Sequence, residues 1–295
     1  MRRLTGHRPS PGILPAARGG AVITGAGGGL GRQIALRLAR AGFTLQITDV
    51  DRRRAEAVTA EINAEFPRPV ERLAFASSLD VRDADACSEA AEATRARSGS
   101  LALWVNNAGA LFTGPVWEQD ERQRRLVLEV NAAGTINGTL AALKIMRPAD
   151  AGQVVNVASL AGLVGVPGEG IYAASKHAVL GFSVSALADL RAAGVKGVEI
   201  SCVCPDGMWT PMLHDKLDDP GAALSFTGKL LDPGEVADLV LRVIDKPRPV
   251  TAWPRWRGGQ VRVFDAWPGL AVRLAPLMVA YGRRRQGAFA RKLKI

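Results

Sequence analysis

The chain has 295 residues, 47% of them hydrophobic, which is enough for one large α/β domain with a well-filled core. Three scattered histidines and three cysteines without a metal-type spacing argue against a catalytic metal and a disulfide framework, so we predict no metal site. The net charge of +10 lies at the ends, because residues 19–245 carry 22 basic and 27 acidic residues. This distribution disfavours nucleic-acid binding, which needs a basic face on the folded body.

Composition divides the chain into three segments. Residues 1–18 contain four arginines, three prolines and no acidic residue, which predicts a basic disordered leader without the apolar core of a secretion signal. Residues 19–252 are predicted to form a single domain, and residues 253–295 a basic and apolar C-terminal extension. Without a secretion signal, and with cysteines typical of reduced thiols, the protein is predicted to be cytoplasmic.

Along the main domain, short apolar runs alternate with longer amphipathic stretches, a pattern typical of β-α units wound into a parallel sheet. The runs predict seven strands, at residues 21–24, 44–48, 72–76, 101–105, 153–158, 198–203 and 250–252. The stretches between them predict helices at residues 30–41, 52–64, 84–96, 118–146, 172–193 and 233–244. We expect a Rossmann-type, doubly wound α/β fold whose ligand crevice lies beyond the carboxyl ends of the strands.

The first predicted strand runs into a glycine-rich turn, Thr24-Gly25-Ala26-Gly27-Gly28-Gly29-Leu30-Gly31, that opens a helix. Backbone N–H groups in such a turn can receive a pyrophosphate, although the glycines could also serve tight strand-to-helix packing alone. Asp49 follows Gly31 by 18 residues, at the end of the second predicted strand. A carboxylate there accepts hydrogen bonds from the adenosine ribose and repels a 2′-phosphate, which favours NAD over NADP.

A second pattern joins Ser159, Tyr172 and Lys176. Tyr172 and Lys176 are four residues apart, so on a helix they share a face and the ammonium can favour the ionised phenol. Bringing a tyrosine pKa from about 10 to near 7 requires roughly 4 kcal/mol of differential stabilisation, which Lys176 together with a bound cationic nicotinamide could supply. The pattern therefore predicts a phenol that exchanges protons near neutral pH.

These strings resemble the short-chain dehydrogenase/reductase family, in its compact single-domain branch, over about residues 19–252. Further matching strings are Leu79-Asp80-Val81, Asn106-Asn107-Ala108-Gly109, Asn131, and Pro205 with Thr210. The resemblance implies an oxidoreductase that moves hydride between a nicotinamide dinucleotide and a CH–OH group of its substrate. It also implies a homodimer or homotetramer.

The resemblance implies a role for each matching residue. Ser159 would bind the substrate oxygen, Tyr172 would exchange the alcohol proton, and Lys176 would lower the tyrosine pKa and hold the nicotinamide ribose. Asn131 would support a water that connects Lys176 with solvent, or would simply be a polar residue inside a helix. The implied cofactor-binding residues are Gly25, Gly29, Leu30, Gly31, Asp49, Asp80, Val81, Asn107, Ala108, Gly109, Tyr172, Lys176, Pro205 and Thr210.

One departure from the family pattern follows the sixth predicted strand. The family usually has Pro-Gly there, whereas this chain has Pro205-Asp206. The spacing from Pro205 to Thr210 is kept, so Thr210 is still expected to contact the nicotinamide carboxamide. The path of the backbone around Asp206 is not set by the pattern.

The side chains expected around the reacting carbon are almost all apolar, which predicts a lipophilic secondary alcohol or ketone as substrate. This set contains Leu160, Leu163, Val164, Val166, Met208, Trp209, Met212 and Leu213. We expect no arginine positioned to clamp a carboxylate or phosphate. The alternative for the apolar set is that its side chains complete the core. Residues 213–231 form either a lid over the crevice or an ordinary surface excursion. The competing function is a catalytically silent dinucleotide-binding sensor or scaffold of the same fold.

The C-terminal extension mixes tryptophans and aliphatic residues with arginines. This composition suits peripheral contact with the headgroups of an anionic bilayer. A spanning helix is disfavoured, because Arg273 is central and prolines at 268 and 276 interrupt the apolar run. The alternative interpretation is an arm packed on a neighbouring subunit.

Overall fold

The computed structural model describes residues 18–66 and 73–293, which form seven strands and ten α-helices. The strands are β1 (Gly20–Ile23), β2 (Thr44–Asp49), β3 (Ala74–Ser78), β4 (Leu101–Asn106), β5 (Gly152–Val157), β6 (Val198–Pro205) and β7 (Val250–Trp253). All adjacent pairs are parallel, in the order β3-β2-β1-β4-β5-β6-β7. The predicted doubly wound parallel sheet is thus confirmed. The predicted leader lies outside the described residues except Arg18, which pairs with Asp245.

Helices follow the strands on both faces of the sheet. They are α1 (Gly29–Arg40), α2 (Arg52–Glu65), α3 (Ala84–Ser98), α4 (Glu121–Leu128), α5 (Gly134–Ala149), α6 (Gly170–Ala192), α7 (Pro211–His214), α8 (Pro233–Asp245), α9 (Arg255–Ala266) and α10 (Pro268–Leu293). A π-turn at Glu129–Ala133 joins α4 to α5, and a 3₁₀ helix spans Pro220–Phe226. The segment from Glu121 to Ala149 has the length and apolar content of a membrane span, but it packs against α3 and β4 as a core helix.

Several predicted boundaries were shifted by two or three residues, and two of them show why. The third strand was predicted at residues 72–76 but lies at Ala74–Ser78, and Arg72 falls outside the described residues. The long helix was predicted from residue 118 but begins at Glu121, because Asp120 and Gln123 form a reciprocal capping box. In both cases hydrogen bonding decided the boundary, which the apolar pattern does not define.

Alternate side chains of the central strands enter two separate cores. In β1, Ala21 and Ile23 pack with α1 and α8 on one face, whereas Val22 packs with residues of α3 and α5 on the other. Because both faces of the sheet are covered by helices, the polar side chains that follow the strands lie beyond the strand ends, at the carboxyl-terminal edge of the sheet. The carboxyl-terminal edge therefore gathers the predicted site residues.

The C-terminal extension folds back on the same chain. Gly282 of α10 lies against the 3₁₀ helix, where an added Cβ would be 2.4 Å from the carbonyl oxygen of Ala223. Gln286 donates 2.8 Å hydrogen bonds to the carbonyl oxygens of Lys216 and Asp219. These contacts make α10 a support for the segment predicted to be a lid.

Candidate active site

The glycine turn brings three pieces of backbone closer than side chains permit. Gly25 has φ +61°, and a Cβ there would lie 2.8 Å from Cα of Ala108. A Cβ on Gly31 would lie 2.4 Å from the carbonyl oxygen of Gly25. Thr210, at the start of α7, lies across the turn, with its Cβ 3.7 Å from the position of a Cβ on Gly29. Gly25 thus lets Ala108 approach the start of α1, while Thr210 makes an ordinary contact across the turn.

The start of α1 suits an anion. Several helices begin at an aspartate whose side chain accepts from first-turn N–H groups, namely Asp51, Asp83, Asp120 and Asp232. Helix α1 begins at Gly28 instead, and no side chain of the described residues caps it. Its first-turn donors are therefore free for an anionic group such as a pyrophosphate, and this fits a dinucleotide.

Asp49 lies beside the same turn. Its carboxylate accepts from the backbone N–H groups of Gly27 and Asp51, each at 3.0 Å. This pair of contacts holds a negative charge at the end of β2.

Thr24 ties the glycine turn to the end of β4. Its hydroxyl accepts from the N–H groups of Asn107 and Ala108, each at 3.0 Å. Asn107 returns hydrogen bonds from its side chain to the carbonyl oxygens of Thr24 and Gly25. The sequence analysis had assigned no role to Thr24, although its place at the head of the turn was a usable signal.

The Asp80–Val81 pair lies near the edge of this site. Arg82 binds the Asp80 carboxylate through its Nε at 3.0 Å, and this pairing lowers the pKa of Asp80. Val81 is buried against Gly134, where a Cβ would lie 2.4 Å from Cγ2 of Val81. Asp80 is thus oriented by Arg82, while Val81 packs against the helix that follows Asn131.

Ser159, Tyr172 and Lys176 meet at the ends of β5 and α6. Lys176 is 4% exposed, its Nζ donates to the carbonyl oxygen of Val157 at 2.9 Å, and it lies 5.6 Å from the centre of the Tyr172 ring. The Ser159 hydroxyl accepts from the Ala161 N–H at 3.1 Å. Tyr172 and Ser159 both face a cavity, with Lys176 behind the tyrosine.

The pKa of Tyr172 in the protein alone lies above its ordinary value. Burial raises it above the ordinary value, the carboxyl of Glu169 raises it further, and the Ser159 hydroxyl opposes both. Burial also lowers the pKa of Lys176 to about 8. Desolvation is thus the largest influence on the pKa of Tyr172.

Asn131 lies in the π-turn between α4 and α5. Its side chain accepts from the Ala110 N–H at 2.7 Å, and it donates to the Ala110 carbonyl oxygen and to Ser175 Oγ, each at 3.0 Å. The Ser175 hydroxyl in turn donates to the carbonyl oxygen of Tyr172. Asn131 thus connects the loop after β4 with the first turns of α6. Its hydrogen-bonded connection toward Lys176 runs through Ser175, the preceding residue of the same helix.

A buried carboxyl that the sequence analysis did not identify lies one turn before Tyr172. Glu169 is 3% exposed, lines the cavity and accepts from Ser225 Oγ at 2.5 Å. Burial raises its pKa to about 7. The surrounding Pro-Gly-Glu-Gly string has the composition of an exposed turn, so the sequence carried no signal of this burial.

The cavity has a volume of about 1050 Å³ and mostly apolar walls. Six of the eight predicted substrate-facing residues line it: Leu160, Val164, Val166, Met208, Met212 and Leu213. Two predictions were wrong among the described residues, since Leu163 packs in the core with Val179 and Trp209 stacks on Phe289. Residues 219–225 close one side, and α9 and α10 add Phe264, Met278 and Val279 to the wall.

The departure at Asp206 has a partner in the C-terminal extension. Arg257 of α9 donates from Nε to the Asp206 carboxylate at 2.8 Å, and both side chains are nearly buried. Arg257 also donates to Thr227 Oγ1 at 3.1 Å. Two arginines that the sequence pattern did not point to, Arg257 and Arg283, line the cavity. The carboxylate of Asp206 balances the charge of Arg257.

The chain matches known proteins over most of its length. A family model described as short chain dehydrogenase matches residues 20–221. A cyclopentanol dehydrogenase from Comamonas sp. is 32% identical over 228 residues, which cover 76% of this chain and 88% of that enzyme. A trans-4-hydroxycyclohexanecarboxylate dehydrogenase from Sinomonas cyclohexanicum is 33% identical over 222 residues, which cover 75% of this chain and 83% of that enzyme.

The fold matches a solved structure as well. The crystal structure of a short chain dehydrogenase/reductase from Burkholderia phymatum in complex with NAD is 28% identical, with a TM-score of 0.77 over 88% of this chain and 97% of that one. The chain therefore belongs to the short-chain dehydrogenase/reductase family and is an oxidoreductase that acts on alcohols with a nicotinamide dinucleotide.

Proposed function

We propose that this protein interconverts a lipophilic secondary alcohol and its ketone with NAD as the hydride carrier. The observation that carries the proposal is the position of Tyr172 and Ser159, which face an apolar cavity while Lys176 lies behind the phenol. The glycine turn and the uncapped start of α1 are next to the same edge of the sheet. Proton exchange and dinucleotide binding are thus available at one place.

Each side chain has a task that follows from its position. Ser159 and Tyr172 hold the substrate oxygen, and Tyr172 takes the alcohol proton during oxidation or returns it during reduction. Lys176 provides a positive charge close to the phenol, which stabilises the phenolate as it forms. A bound nicotinamide supplies the hydride acceptor and, when oxidised, a second positive charge that favours the phenolate. Asn131 positions α6 through Ser175 and the Ala110 loop.

The preference for NAD rests on Asp49. Its carboxylate is held by the N–H groups of Gly27 and Asp51, so it cannot easily turn away from an adenosine ribose. A 2′-phosphate at this position would meet a negative charge at short range, which is unfavourable. Arg54, in the first turn of α2, pairs with Asp51 at 3.6 Å.

The substrate class follows from the cavity. Leu160, Val164 and Met212 on one side and Met278 and Val279 on the other enclose a volume large enough for a ring system. The similarity to dehydrogenases of cyclopentanol and of trans-4-hydroxycyclohexanecarboxylate supports a cyclic secondary alcohol. We infer that bulk apolar contact, with few hydrogen bonds, selects the substrate.

Subunit association is proposed on the exposed apolar face of α5 and α6. Leu140 and Val184 are exposed on these helices, although both are large and aliphatic. Pairing of two copies through this face would cover them, as expected of a homodimer or homotetramer. Light scattering of the purified protein measures the mass directly, and a monomer would contradict this part of the proposal.

The main experiment mixes the protein with NAD and a panel of cyclic, steroid-like, long-chain and small polar secondary alcohols. We expect absorbance of reduced nicotinamide to grow with the cyclic and other lipophilic alcohols, and more slowly when NADP replaces NAD. Preference for the small polar alcohols would contradict the substrate class. Binding of NAD without turnover across the panel would favour the alternative, a dinucleotide-binding sensor or scaffold.

A further inference from the structure

The C-terminal helices expose a large apolar surface, which we call the C-terminal apolar surface. It consists of Trp256, Trp267, Leu270, Val272, Leu277 and Tyr281, each more than half exposed. Of the 26 residues of α10, all of which the structure describes, only Gly282, Gln286 and Ala290 are buried. A helix that leaves so much apolar area in water marks an interaction site.

The charge on this surface has one sign. From Pro268 to Leu293 the chain contains six Lys and Arg residues and no acidic residue. At helical spacing, Arg273 and Arg284 share the face of Leu270, Leu277 and Tyr281. A helix face that mixes aliphatic and aromatic side chains with arginines has the composition of one that lies in the interface of an anionic bilayer.

The same helices also lead to the cavity. Val272, Val279 and Arg283 line the main cavity and also an open apolar depression beside it, bounded by Pro167 and Pro276. Trp117, which is highly exposed, lines the cavity as well. The cavity thus opens to solvent between apolar side chains, next to the C-terminal apolar surface.

We infer that the C-terminal apolar surface binds an anionic lipid bilayer, so that the cavity opens toward the membrane. The lipophilic substrate then enters from the bilayer rather than from water, and this part of the inference rests on the proposed function. A second copy of the chain is the competing occupant. It fits less well, because a two-fold contact would place this cationic face against itself without acidic partners.

Vesicle co-sedimentation of the full chain tests the inference. We expect the protein to pellet with vesicles of phosphatidylcholine and phosphatidylglycerol, at least tenfold more than with phosphatidylcholine alone, and to be partly released by high salt. The double variant Leu270→Glu/Leu277→Glu should reduce the bound fraction on anionic vesicles about tenfold. Val50→Glu is the matched control, since Val50 is 71% exposed against 69% for Leu277 and lies on the opposite half of the sheet.

Each outcome decides the inference. Equal pelleting with neutral and anionic vesicles, or an equal loss in Val50→Glu, would overturn it. A drop in particle mass by light scattering for Leu270→Glu/Leu277→Glu, without vesicle binding by the wild type, would assign the surface to a second copy. Vesicle binding does not need turnover, so failure to oxidise any alcohol would leave this result intact and contradict only the proposed function.

Discussion

The ammonium nitrogen of Lys176 lies 5.6 Å from the centre of the Tyr172 ring, yet its hydrogen bond goes to the carbonyl oxygen of Val157. Lys176 is therefore fixed beside the phenol by the end of β5 and not by the phenol itself. Burial lowers the pKa of Lys176 to about 8 and raises that of Tyr172. Burial thus opposes the charged form of both side chains.

Tyr172→Phe removes the proposed proton carrier and keeps the ring that fills the site. We expect turnover to fall about 10³-fold, a typical loss for a general acid or base. Tyr281→Phe is the matched control, because Tyr281 is the other tyrosine of the chain and lies exposed on α10. Rates are measured by absorbance of reduced nicotinamide, and NAD affinity by calorimetry should be nearly unchanged in both variants. Equal activity of Tyr172→Phe and wild type would remove Tyr172 from the mechanism.

Asp49→Asn tests the choice of dinucleotide. The amide can still accept from the Gly27 N–H but carries no charge, so repulsion of a 2′-phosphate disappears. We expect the ratio of kcat/KM for NAD to that for NADP to fall about tenfold, or about 1.4 kcal/mol. Asp51→Asn is the control, since Asp51 caps α2 and asparagine caps as well as aspartate. A similar fall in the control would show that charge near the loop, and not Asp49, sets the preference.

Glu169→Gln tests the buried carboxyl through the pH dependence of stability. Folding raises the pKa of Glu169 from 4.5 to about 7, so its contribution to stability is present below pH 4.5 and is lost as pH rises toward 7. Glutamine avoids this loss, on the order of 3 kcal/mol at about 1.4 kcal/mol per pKa unit. We expect the melting temperature of the variant to exceed that of wild type at about pH 8 and to match it near pH 4.5. An equal difference at both pH values would contradict the assignment.

The same substitution should shift the pH profile of alcohol oxidation. The charge of Glu169 raises the pKa of Tyr172, so its removal makes the phenol easier to ionise. We expect the rise in kcat with pH to begin at lower pH in Glu169→Gln than in wild type. A profile that does not move would show that Glu169 and Tyr172 are not electrostatically coupled during turnover.

Asp206→Asn tests the contact between the nicotinamide loop and α9. It leaves the guanidinium of Arg257 nearly buried without its ionic partner, which should cost on the order of 2 to 3 kcal/mol of folding free energy. The double variant Asp206→Asn/Arg257→Gln should lose less than the sum of the single variants, because it removes both charges. Denaturant unfolding measures all three. Strict additivity would mean that the two side chains do not interact in solution.

Val279→Phe tests whether α10 forms a wall of the substrate cavity. The larger side chain takes up cavity volume, so we expect kcat/KM to fall at least tenfold for multi-ring alcohols and to change little for cyclopentanol. Leu277→Phe is the control, because Leu277 is a neighbouring residue that is exposed on the same helix. A uniform loss with every alcohol would indicate a damaged fold, and circular dichroism would reveal it.

Much of the fold was predictable because it rests on local patterns. Apolar runs of strand length, glycine at the turn after β1 and aspartate at helix starts each act within a few residues. The parallel order follows from right-handed crossovers between those elements. The convergence of Ser159, Tyr172 and Lys176 was predictable for the same reason, since i and i+4 positions share a helix face and Ser159 ends the adjacent strand.

The contacts that the sequence analysis missed join distant parts of the chain. Asp206 and Arg257 are 51 residues apart, and Glu169 and Ser225 are 56 apart. No pattern within a short stretch of the sequence distinguishes a buried carboxyl from an exposed one. Leu163 and Trp209 were misplaced for a related reason, because hydrophobicity predicts burial but does not tell core from cavity wall.

Local pattern in this chain decides which elements form, in what order they wind, and which polar groups reach one sheet edge. Only the folded chain decides the environment of those groups, because desolvation and charge at a site depend on everything that packs around it. Burial raises the pKa of Tyr172 in the protein alone for that reason, and α9 and α10 return to enclose a cavity that the motif residues alone would leave open.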